Sequence, residues 1–355
     1  MKKIRVGIIG TGGISHCHMS GYKQLEAEGK VEIVACCDID EAKLNAYCDK
    51  FGVAKRYTDC REMMKNEQLD CVSVCTWNSA HKDCTIAALE GGANVICEKP
   101  MALNAKEAEE MLAAAKKAGK LLQVGFVRRF GEDADAVKKL VDDGVFGDIY
   151  YAKATYLRQN GCPGGWFGDR AFSGGGPLID LGVHVIDLTR YLAGSPKPVS
   201  AYGVTYDNLG PDRANSGGKA WTIDVKPGEH PYNVEDICVA MVRFDNGFTL
   251  SVEASFNLNI AGDIGDVQLF GTKAGTSMNE MSILTTKDGK FITFTPEGEH
   301  SFRFGPAFIE EIRGFVDASE GKVPCKAPAE DGVWLMKIID AIYESAKTGR
   351  SMEIK

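Results

Sequence analysis

The chain has no long hydrophobic run, no excess of basic charge and no Cys-x-x-Cys pair. No stretch approaches the roughly 20 apolar residues of a membrane helix, so we expect no membrane partner. The net charge of −8 does not provide the excess of basic residues that binds nucleic acid, so we expect no nucleic-acid partner. The apolar run Ile4–Ile9 is too short for a signal-peptide core and ends in glycines, so we expect a cytoplasmic protein.

Twelve cysteines are present, but no Cys-x-x-Cys pair occurs among them. Two groups suggest a metal site: His16-Cys17-His18, and Cys75 with His81 and Cys84. Neither repeats a zinc-ligand spacing, so we expect no metal. Several cysteines lie inside apolar runs, where a thiol behaves as a small buried hydrophobe. Disulfides are not expected in a reducing cytosol.

A length of 355 residues indicates two domains, and the first, residues 1–125, alternates short apolar runs with helical stretches. The predicted strands are Ile4–Ile9, Val31–Cys37, Leu69–Cys75, Asn94–Cys97 and Leu121–Gly125. The predicted helices are Ile14–Gly29, Glu41–Phe51, Ala80–Gly91 and Ala105–Ala118. Fully apolar strands between helices favour a parallel sheet covered on both faces, which makes this an α/β fold of the Rossmann type.

Residues 126–355 read as a second, α+β domain with a mainly antiparallel sheet. The predicted helices are about Asp133–Asp143, Asp180–Leu192, Phe308–Ser319 and Asp331–Lys347. The predicted strands are Ile149–Arg158, Val199–Tyr206, Ile237–Phe244, Phe248–Phe256, Asp266–Gly271, Thr276–Asn279 and Phe291–Thr295. Turns such as Asp245-Asn246-Gly247 and Lys287-Asp288-Gly289 predict hairpins. The long stretch Asp207–Asn233 is either an active-site lid or a surface insertion or subunit contact.

A glycine-rich turn follows the first predicted strand: Gly10-Thr11-Gly12-Gly13-Ile14-Ser15. Gly10 permits the tight turn, Gly12 lets the backbone approach a pyrophosphate, and the helix start offers free N–H groups. Asp38, at the end of the second strand, would accept hydrogen bonds from ribose hydroxyls and repel a 2′-phosphate, which favours NAD over NADP. The third position of the fingerprint is Ser15 rather than Gly or Ala. The alternative is an ordinary turn without a ligand. We assign Gly10, Gly12, Gly13, Ile14 and Asp38 to the cofactor.

Two later segments end at the same predicted edge of the sheet and would line the nicotinamide half of the cofactor. They are Thr76-Trp77-Asn78 with His81, and Glu98-Lys99. His81 either contacts the cofactor or has a local structural role. Pro100 restricts the backbone of Lys99 and can accept a cis bond, which would aim the ammonium into the cleft. The alternative for Lys99 is a turn lysine in solvent.

Asp180 and His184 are four residues apart on a predicted helix, so both should project from one face. A carboxylate beside an imidazole can hold a hydroxyl group and move its proton near neutral pH. The alternative is a pair on the helix surface. The glycines Gly174–Gly176 ahead of the pair have no packing role visible in the sequence, which favours function.

Together these motifs resemble the glucose-fructose oxidoreductase, inositol dehydrogenase and rhizopine-catabolism (Gfo/Idh/MocA) family of NAD(P)-dependent dehydrogenases over nearly the whole chain. The motifs are Gly10-x-Gly12-Gly13, Glu98-Lys99-Pro100, Gly125-Phe126 with Arg128-Arg129-Phe130, and Gly174-Gly-Gly-x-x-x-Asp180-x-Gly-x-His184. The resemblance implies a Rossmann domain, then a domain whose large open sheet forms oligomer contacts. A homo-oligomer is expected, as a dimer, tetramer or hexamer. It also implies that Lys99, Asp180 and His184 are the catalytic positions.

The expected reaction is oxidation of a secondary hydroxyl of a sugar, inositol or glycoside, with the 3-position of a glucoside as a special case. Lys99 would stabilise the developing negative oxygen, His184 would accept the proton, and Asp180 would orient His184 and bind a neighbouring hydroxyl. The base in this family is either the histidine or the lysine, and the sequence does not separate them. Lys99, Asp180 and His184 are thereby also expected to contact the substrate.

Four other residues are expected to contact a carbohydrate or polyol substrate: Arg128, Arg158, Asn160 and Trp166. Tyr156 and Phe167 lie in the same segments. Aromatic rings there can stack on a sugar face or can simply pack. Arg128 or Arg129 can pair with an acidic substrate or with a structural carboxylate. Two other functions remain open at this point: an NAD-dependent glycosidase, and a non-catalytic dinucleotide-binding regulator.

Overall fold

The computed structural model describes residues 3–210, 230–296, 298 and 300–355. Its contacts divide the chain into two compact units. The first comprises residues 1–130 and 303–333, and the second comprises 131–302 and 334–355. Most of the predicted loop 207–233 lies outside the described residues. None of the helices in the described ranges is long and apolar enough to cross a membrane.

The first unit is a parallel six-stranded sheet with helices between the strands, which confirms the predicted Rossmann-type α/β fold. Its strands are β1 (Ile4–Ile9), β2 (Val31–Cys37), β3 (Lys55–Tyr57), β4 (Cys71–Val74), β5 (Asn94–Glu98) and β6 (Leu122–Gly125). Its helices are α1 (Ser15–Ala27), α2 (Glu41–Phe51), α3 (Cys60–Asn66), α4 (His81–Glu90) and α5 (Ala105–Ala118). The order β3-β2-β1-β4-β5-β6 reverses direction between β1 and β4, where ligands of such sheets bind. The sequence missed β3 and α3, because β3 is three polar or aromatic residues without an apolar run.

The second unit contains a nine-stranded sheet in the order β14-β13-β12-β11-β7-β10-β9-β8-β15. Its helices are α6 (Glu132–Asp142), α7 (Arg170–Ser173) and α8 (Val183–Leu192). Its strands are β7 (Ile149–Leu157), β8 (Pro198–Tyr206), β9 (Ile237–Phe244), β10 (Thr249–Ser255), β11 (Ile264–Gly271), β12 (Ala274–Ser277), β13 (Ser282–Lys287), β14 (Lys290–Phe294) and β15 (Met352–Glu353). Only the β10–β7 pair is parallel among these strands, so the predicted mainly antiparallel sheet is confirmed.

One face of this sheet is covered and the other is open. Along β9 the side chains of Cys238, Ala240 and Val242 are buried, whereas Met241 is 53% exposed. Met241 lies directly opposite Tyr202 of β8, which is 47% exposed. Because successive side chains of a strand point to opposite faces of the sheet, β9 has one face in the core and one exposed face that includes apolar residues.

Two helices lie between β14 and β15 in the chain: α9 (Phe304–Ser319) and α10 (Ala329–Thr348). The amphipathic helix α9 belongs to the first unit. Its residues Ile312, Phe315 and Val316 pack in one buried cluster with Met19 and Tyr22 of α1. The sequence placed residues 303–333 in a continuous second domain, because a helical pattern shows which face is apolar but not which partner covers it.

Candidate functional site

The glycine turn between β1 and α1 is closely packed at its first position. Gly10 has φ +89°, a conformation that favours glycine. A Cβ at Gly10 would lie 2.6 Å from the carbonyl carbon of Cys75, at the end of β4. Both the turn and the close approach of two strand ends therefore require glycine here.

The next part of the turn is open. A Cβ at Gly12 would meet no protein atom within 4 Å, so packing does not require glycine at this position. Among the described residues, no side chain caps α1 at Ile14, and the first turn of α1 holds no acidic residue. The helix start with Gly12 and Gly13 therefore offers backbone N–H groups and the positive dipole end to an anion. This arrangement fits the pyrophosphate that the motif predicts.

Asp38 follows β2 and holds the glycine turn in place. Its Oδ2 accepts hydrogen bonds from the Thr11 amide (2.7 Å) and the Thr11 hydroxyl (2.8 Å), and its Oδ1 accepts one from the Asp40 amide (2.9 Å). The side chain is half-buried. Asp38 thus shapes the turn itself, and its contact with ribose hydroxyls stays a prediction.

The segment after β4 carries four of the predicted cofactor residues. Thr76 and Trp77 are half-buried, Asn78 is buried at the start of a short 3-10 turn (Asn78–Ala80), and His81 begins α4. The ring of His81 is 0% exposed. Its Nδ1 lies 2.8 Å from the carbonyl oxygen of Pro100, and its Nε2 lies 3.1 Å from that of Thr76. These contacts favour the structural role for His81, one of the two roles that the sequence left open.

The protonation of His81 follows from its surroundings. Burial lowers the pKa of His81, and the neighbouring ammonium of Lys99 lowers it further. The two backbone carbonyls and Glu98 act in the opposite direction without reversing the shift. The neutral ring carries one N–H, and we assign it to Nδ1, which makes the shorter of the two carbonyl contacts.

Glu98 ends β5 and is buried, being 4% exposed. Its Oε2 accepts a hydrogen bond from the Lys99 amide (3.1 Å), and its Oε1 lies 2.8 Å from Nε2 of His18. The Lys99–Pro100 peptide is cis. His18 was missed as a partner of Glu98, because residues eighty positions apart give no local sequence signal.

Three buried groups of the first unit could hold a cation. Single ligand atoms of His18, Glu98 and Glu311 of α9 all lie within 4.8 Å of one another. Among these, the hydrogen bond between His18 and Glu98 already accounts for their contact. The expectation of no metal stays a prediction. His18 belongs to the group His16-Cys17-His18 that the sequence singled out, whereas Glu98 and Glu311 lie far from it along the chain.

In the second unit, Asp180 lies in a π-helical turn (Leu178–Gly182) that leads directly into α8, which carries His184. The sequence predicted one α-helix over Asp180–Leu192, so the type of its first turn was wrong. Asp180 is 7% exposed and His184 is half-buried. Single π turns within helices occur frequently at functional sites.

The glycines before Asp180 do have a packing role, so that expectation was wrong. A Cβ at Gly175 would collide with the hydroxyl of Tyr343, and one at Gly176 would collide with the backbone of Glu235. Glu235 accepts hydrogen bonds from the amides of Gly176 (3.0 Å) and Leu178 (3.3 Å) and from the Tyr343 hydroxyl (2.8 Å). The glycines are therefore explained without a ligand, and they set the start of the helix that carries Asp180.

The surroundings of Asp180 include residues that the sequence did not single out. Burial raises the pKa of Cys162 to about 12, and the charges of Asp180 and Asp236 contribute to the shift. Asp236 accepts hydrogen bonds from Asn257 (2.8 Å) and from the Tyr232 hydroxyl (3.2 Å). Such buried polar groups are visible only once the strands are paired.

The predicted substrate residues of this unit are packed in different ways. Trp166 stacks on Phe167 with ring centroids 3.9 Å apart and packs on the small apolar cluster that includes Cys162. The guanidinium of Arg158 donates to the carbonyl of Gly161 (2.9 Å) and lies 5.2 Å from the ring of Tyr156. Asn160 forms an isolated bridge with Asn257.

The two candidate arginines of the first unit differ. Arg129 is 1% exposed and pairs with Asp331 at 2.8 Å, which is the structural alternative that the sequence left open for one of them. Arg128, in the 3-10 turn Val127–Phe130, is half-buried. The first unit thus holds Lys99 and Arg128, and the second holds Asp180, His184, Arg158, Asn160 and Trp166.

Comparison with known proteins gives consistent matches along the chain. Residues 4–126 match the oxidoreductase family model with an NAD-binding Rossmann fold (Gfo/Idh/MocA), and residues 134–277 match the C-terminal domain model of that family. A D-glucoside 3-dehydrogenase of Escherichia coli is 33% identical over 99% of this chain and 97% of its own length. A myo-inositol 2-dehydrogenase of Thermotoga maritima is 26% identical over 99% of each. A structure of levoglucosan dehydrogenase with NADH and L-sorbose is 25% identical, with a TM-score of 0.84 over 100% of both chains.

The buried Glu235 gives a pH dependence of stability. Burial raises its pKa above the ordinary value of 4.5, so the folded state holds this proton more tightly than the unfolded state. Its stabilising contribution is present below the unfolded pKa and is lost as the pH rises through the folded pKa. We expect the free energy of unfolding of the wild type to fall relative to that of Glu235→Gln as the pH rises from about 4.5, by up to ~1.4 kcal/mol per pH unit.

Urea unfolding followed by circular dichroism at a series of pH values measures this difference. The exposed Glu280→Gln in the same unit controls for the substitution itself. Parallel curves for the wild type and Glu235→Gln would show that burial does not shift this carboxyl.

Proposed function

The chain belongs to the Gfo/Idh/MocA family of oxidoreductases with an NAD-binding Rossmann fold, and we propose that it oxidises a secondary hydroxyl of a sugar, inositol or glycoside. Within that class we propose a glucoside, oxidised at its 3-position. The support for this choice is the 33% identity to a D-glucoside 3-dehydrogenase over nearly the full length of both chains.

The observation that carries the proposal is the cradle at the start of α1. Gly10 closes the turn, the space beside Gly12 is open, and Asp38 holds the turn by two hydrogen bonds from Thr11. These features fit a dinucleotide with its pyrophosphate at the helix start and its ribose at the end of β2. When bound at this turn, NAD would supply the hydride acceptor for the alcohol carbon.

The chain's own residues supply the rest of the chemistry. The Lys99 ammonium stabilises the negative charge that develops on the reacting oxygen. The imidazole of His184 takes the hydroxyl proton, and Asp180 orients that imidazole and binds an adjacent hydroxyl. Lys99 is the alternative proton acceptor, and the variants below separate the two.

Substrate contacts are proposed for residues that present polar or aromatic groups. Trp166 offers an aromatic face to the apolar side of a sugar ring, and Arg128, Arg158 and Asn160 offer hydrogen bonds. Because the Nη1 group of Arg158 already donates to the carbonyl of Gly161, a contact of Arg158 with substrate would use the other N–H groups of its guanidinium.

The enzyme should reduce NAD with at least one member of a panel of methyl glucosides, monosaccharides and inositols, measured as absorbance at 340 nm.

Lys99→Ala and His184→Ala should each lower kcat about 100-fold or more while the Kd for NAD stays within about threefold. Lys287→Ala, at an exposed hairpin, is the control and should retain full activity. If His184→Ala alone shifts the pH profile, the histidine is the proton acceptor.

If no compound of the panel raises the absorbance at 340 nm, the proposed dehydrogenase activity is contradicted. A nitrophenyl glucoside is included so that aglycone and NADH are counted together. Aglycone released without net NADH would instead indicate the glycosidase.

The open space at Gly12 predicts a loss of cofactor affinity without a loss of stability. A methyl group there meets no protein atom but would stand where the pyrophosphate is proposed, so Gly12→Ala should weaken NAD binding about tenfold or more. Its melting temperature should match that of Gly262→Ala, another site where a Cβ meets nothing. Calorimetric titration with NAD and thermal unfolding measure the two quantities, and unchanged affinity would place the pyrophosphate elsewhere.

We also propose a cytoplasmic homo-oligomer assembled through the open face of the nine-stranded sheet. Tyr202 and Met241 lie side by side on that face and are about half exposed, an unusual position for two large apolar side chains. The double variant Tyr202→Asp/Met241→Asp should reduce the molar mass measured by light scattering. Ile39→Asp, at a 71% exposed isoleucine of the first unit, should not. An unchanged mass in the double variant would exclude this face.

A further inference from the structure

The backbone on both sides of Lys99 is held by buried side chains. Glu98 accepts a hydrogen bond from the Lys99 amide at 3.1 Å, and His81 lies 2.8 Å from the carbonyl oxygen of Pro100. We propose that Glu98 and His81 are positioning residues for Lys99, and that His81 acts through its Nδ1–H bond to Pro100 rather than as a cofactor ligand. This inference rests on the proposed function, because that function makes Lys99 catalytic.

The support for Glu98 extends into the core of the first unit. Nδ1 of His18 lies 3.0 Å from the hydroxyl of Ser73, which in turn lies 2.8 Å from the hydroxyl of Tyr22. One proton arrangement satisfies every member: Tyr22 donates to Ser73, Ser73 donates to His18, and Nε2–H of His18 donates to Glu98. All four side chains are at most 4% exposed, so the carboxylate that meets Lys99 has little freedom to move.

His81 lies between the segments that follow two neighbouring strands. Its ring reaches the carbonyl of Thr76 after β4 and the carbonyl of Pro100 after β5. A neutral imidazole donates only one hydrogen bond, and the 2.8 Å contact identifies Pro100 as its acceptor. The ring is completely buried and both its nitrogens face backbone carbonyls, so no polar atom of His81 is left to meet a cofactor.

The physical reason for such anchoring is the length of the lysine side chain. Four side-chain torsions separate the Lys99 backbone from its ammonium, so a small displacement of the backbone moves the charge away from the reacting oxygen. A misplacement of about 1 Å can cost up to about 100-fold in rate. Hydrogen bonds at the Lys99 amide and at the Pro100 carbonyl limit this source of error.

Two substitutions at His81 test the bond directly. The amide nitrogen of asparagine is as many bonds from Cα as Nδ1 of histidine, and that of glutamine is as many as Nε2. His81→Asn therefore retains a donor toward Pro100, whereas His81→Gln moves the donor toward Thr76. We expect kcat of His81→Gln to be at least tenfold below that of His81→Asn, with KM for the sugar and Kd for NAD within about threefold in both.

Two results would overturn the proposal. Equal losses of kcat in the two variants would mean that the ring only fills space. A Kd for NAD that rises in step with the loss of kcat would make His81 a cofactor ligand.

A second pair covers the case in which His81→Gln does not fold. Glu98→Gln keeps an acceptor for the Lys99 amide and Glu98→Ala does not, so kcat should again differ by at least tenfold at similar Kd for NAD. Equal kcat values for this pair would overturn the role of Glu98.

Crystal structures of His81→Asn and His81→Gln separate this proposal from the proposed function. If the wild type turns over no compound of the panel, the proposed function fails. The positioning role still requires that the Lys99 backbone shift in the glutamine variant and stay in the asparagine variant. Identical Lys99 backbones in both structures would overturn it.

Discussion

The contact on which the cofactor site depends is the approach of the Gly10 backbone to the backbone of Cys75. The end of β1 and the end of β4 meet there without space for a methyl group. This approach places the glycine turn, the start of α1 and the Thr76 segment at one edge of the parallel sheet. A larger side chain at Gly10 would separate the two strand ends, and the segments that follow them would no longer share an edge.

Buried or half-buried polar side chains recur behind the functional segments of this protein. Asp38 holds the glycine turn, His81 holds the carbonyl of Pro100, and Glu235 holds the glycines before Asp180. In each case a side chain from a distant part of the chain satisfies backbone groups that the loop itself leaves unpaired. A buried backbone group without a partner is costly, so these side chains restrict the loops to one conformation. The positions of the predicted site residues therefore depend on hydrogen bonds between these supporting side chains and the loop backbone.

The sequence predicted the features that short-range patterns encode. Apolar runs, glycine turns and the Glu98-Lys99-Pro100 motif identified the Rossmann fold, the family and the NAD cofactor. It did not predict the pairing of His18 with Glu98 or of Glu235 with Gly176, because these contacts join residues 80 and 59 positions apart. The glycines at 175 and 176 were misread for the same reason, since Tyr343 and Glu235 that pack on them lie far along the chain. The π turn at Asp180 was missed because an apolar pattern fixes a helical face but not the hydrogen bonds of its first turn.

The position of α9 has a consequence for synthesis on the ribosome. Ile312, Phe315 and Val316 complete the apolar cluster beneath α1, although about 190 residues separate them from the end of β6. The strands of the Rossmann sheet are synthesised first, but its apolar cluster is complete only after α9 has emerged from the ribosome. During elongation the surface around Met19 and Tyr22 is therefore left uncovered until α9 has been synthesised.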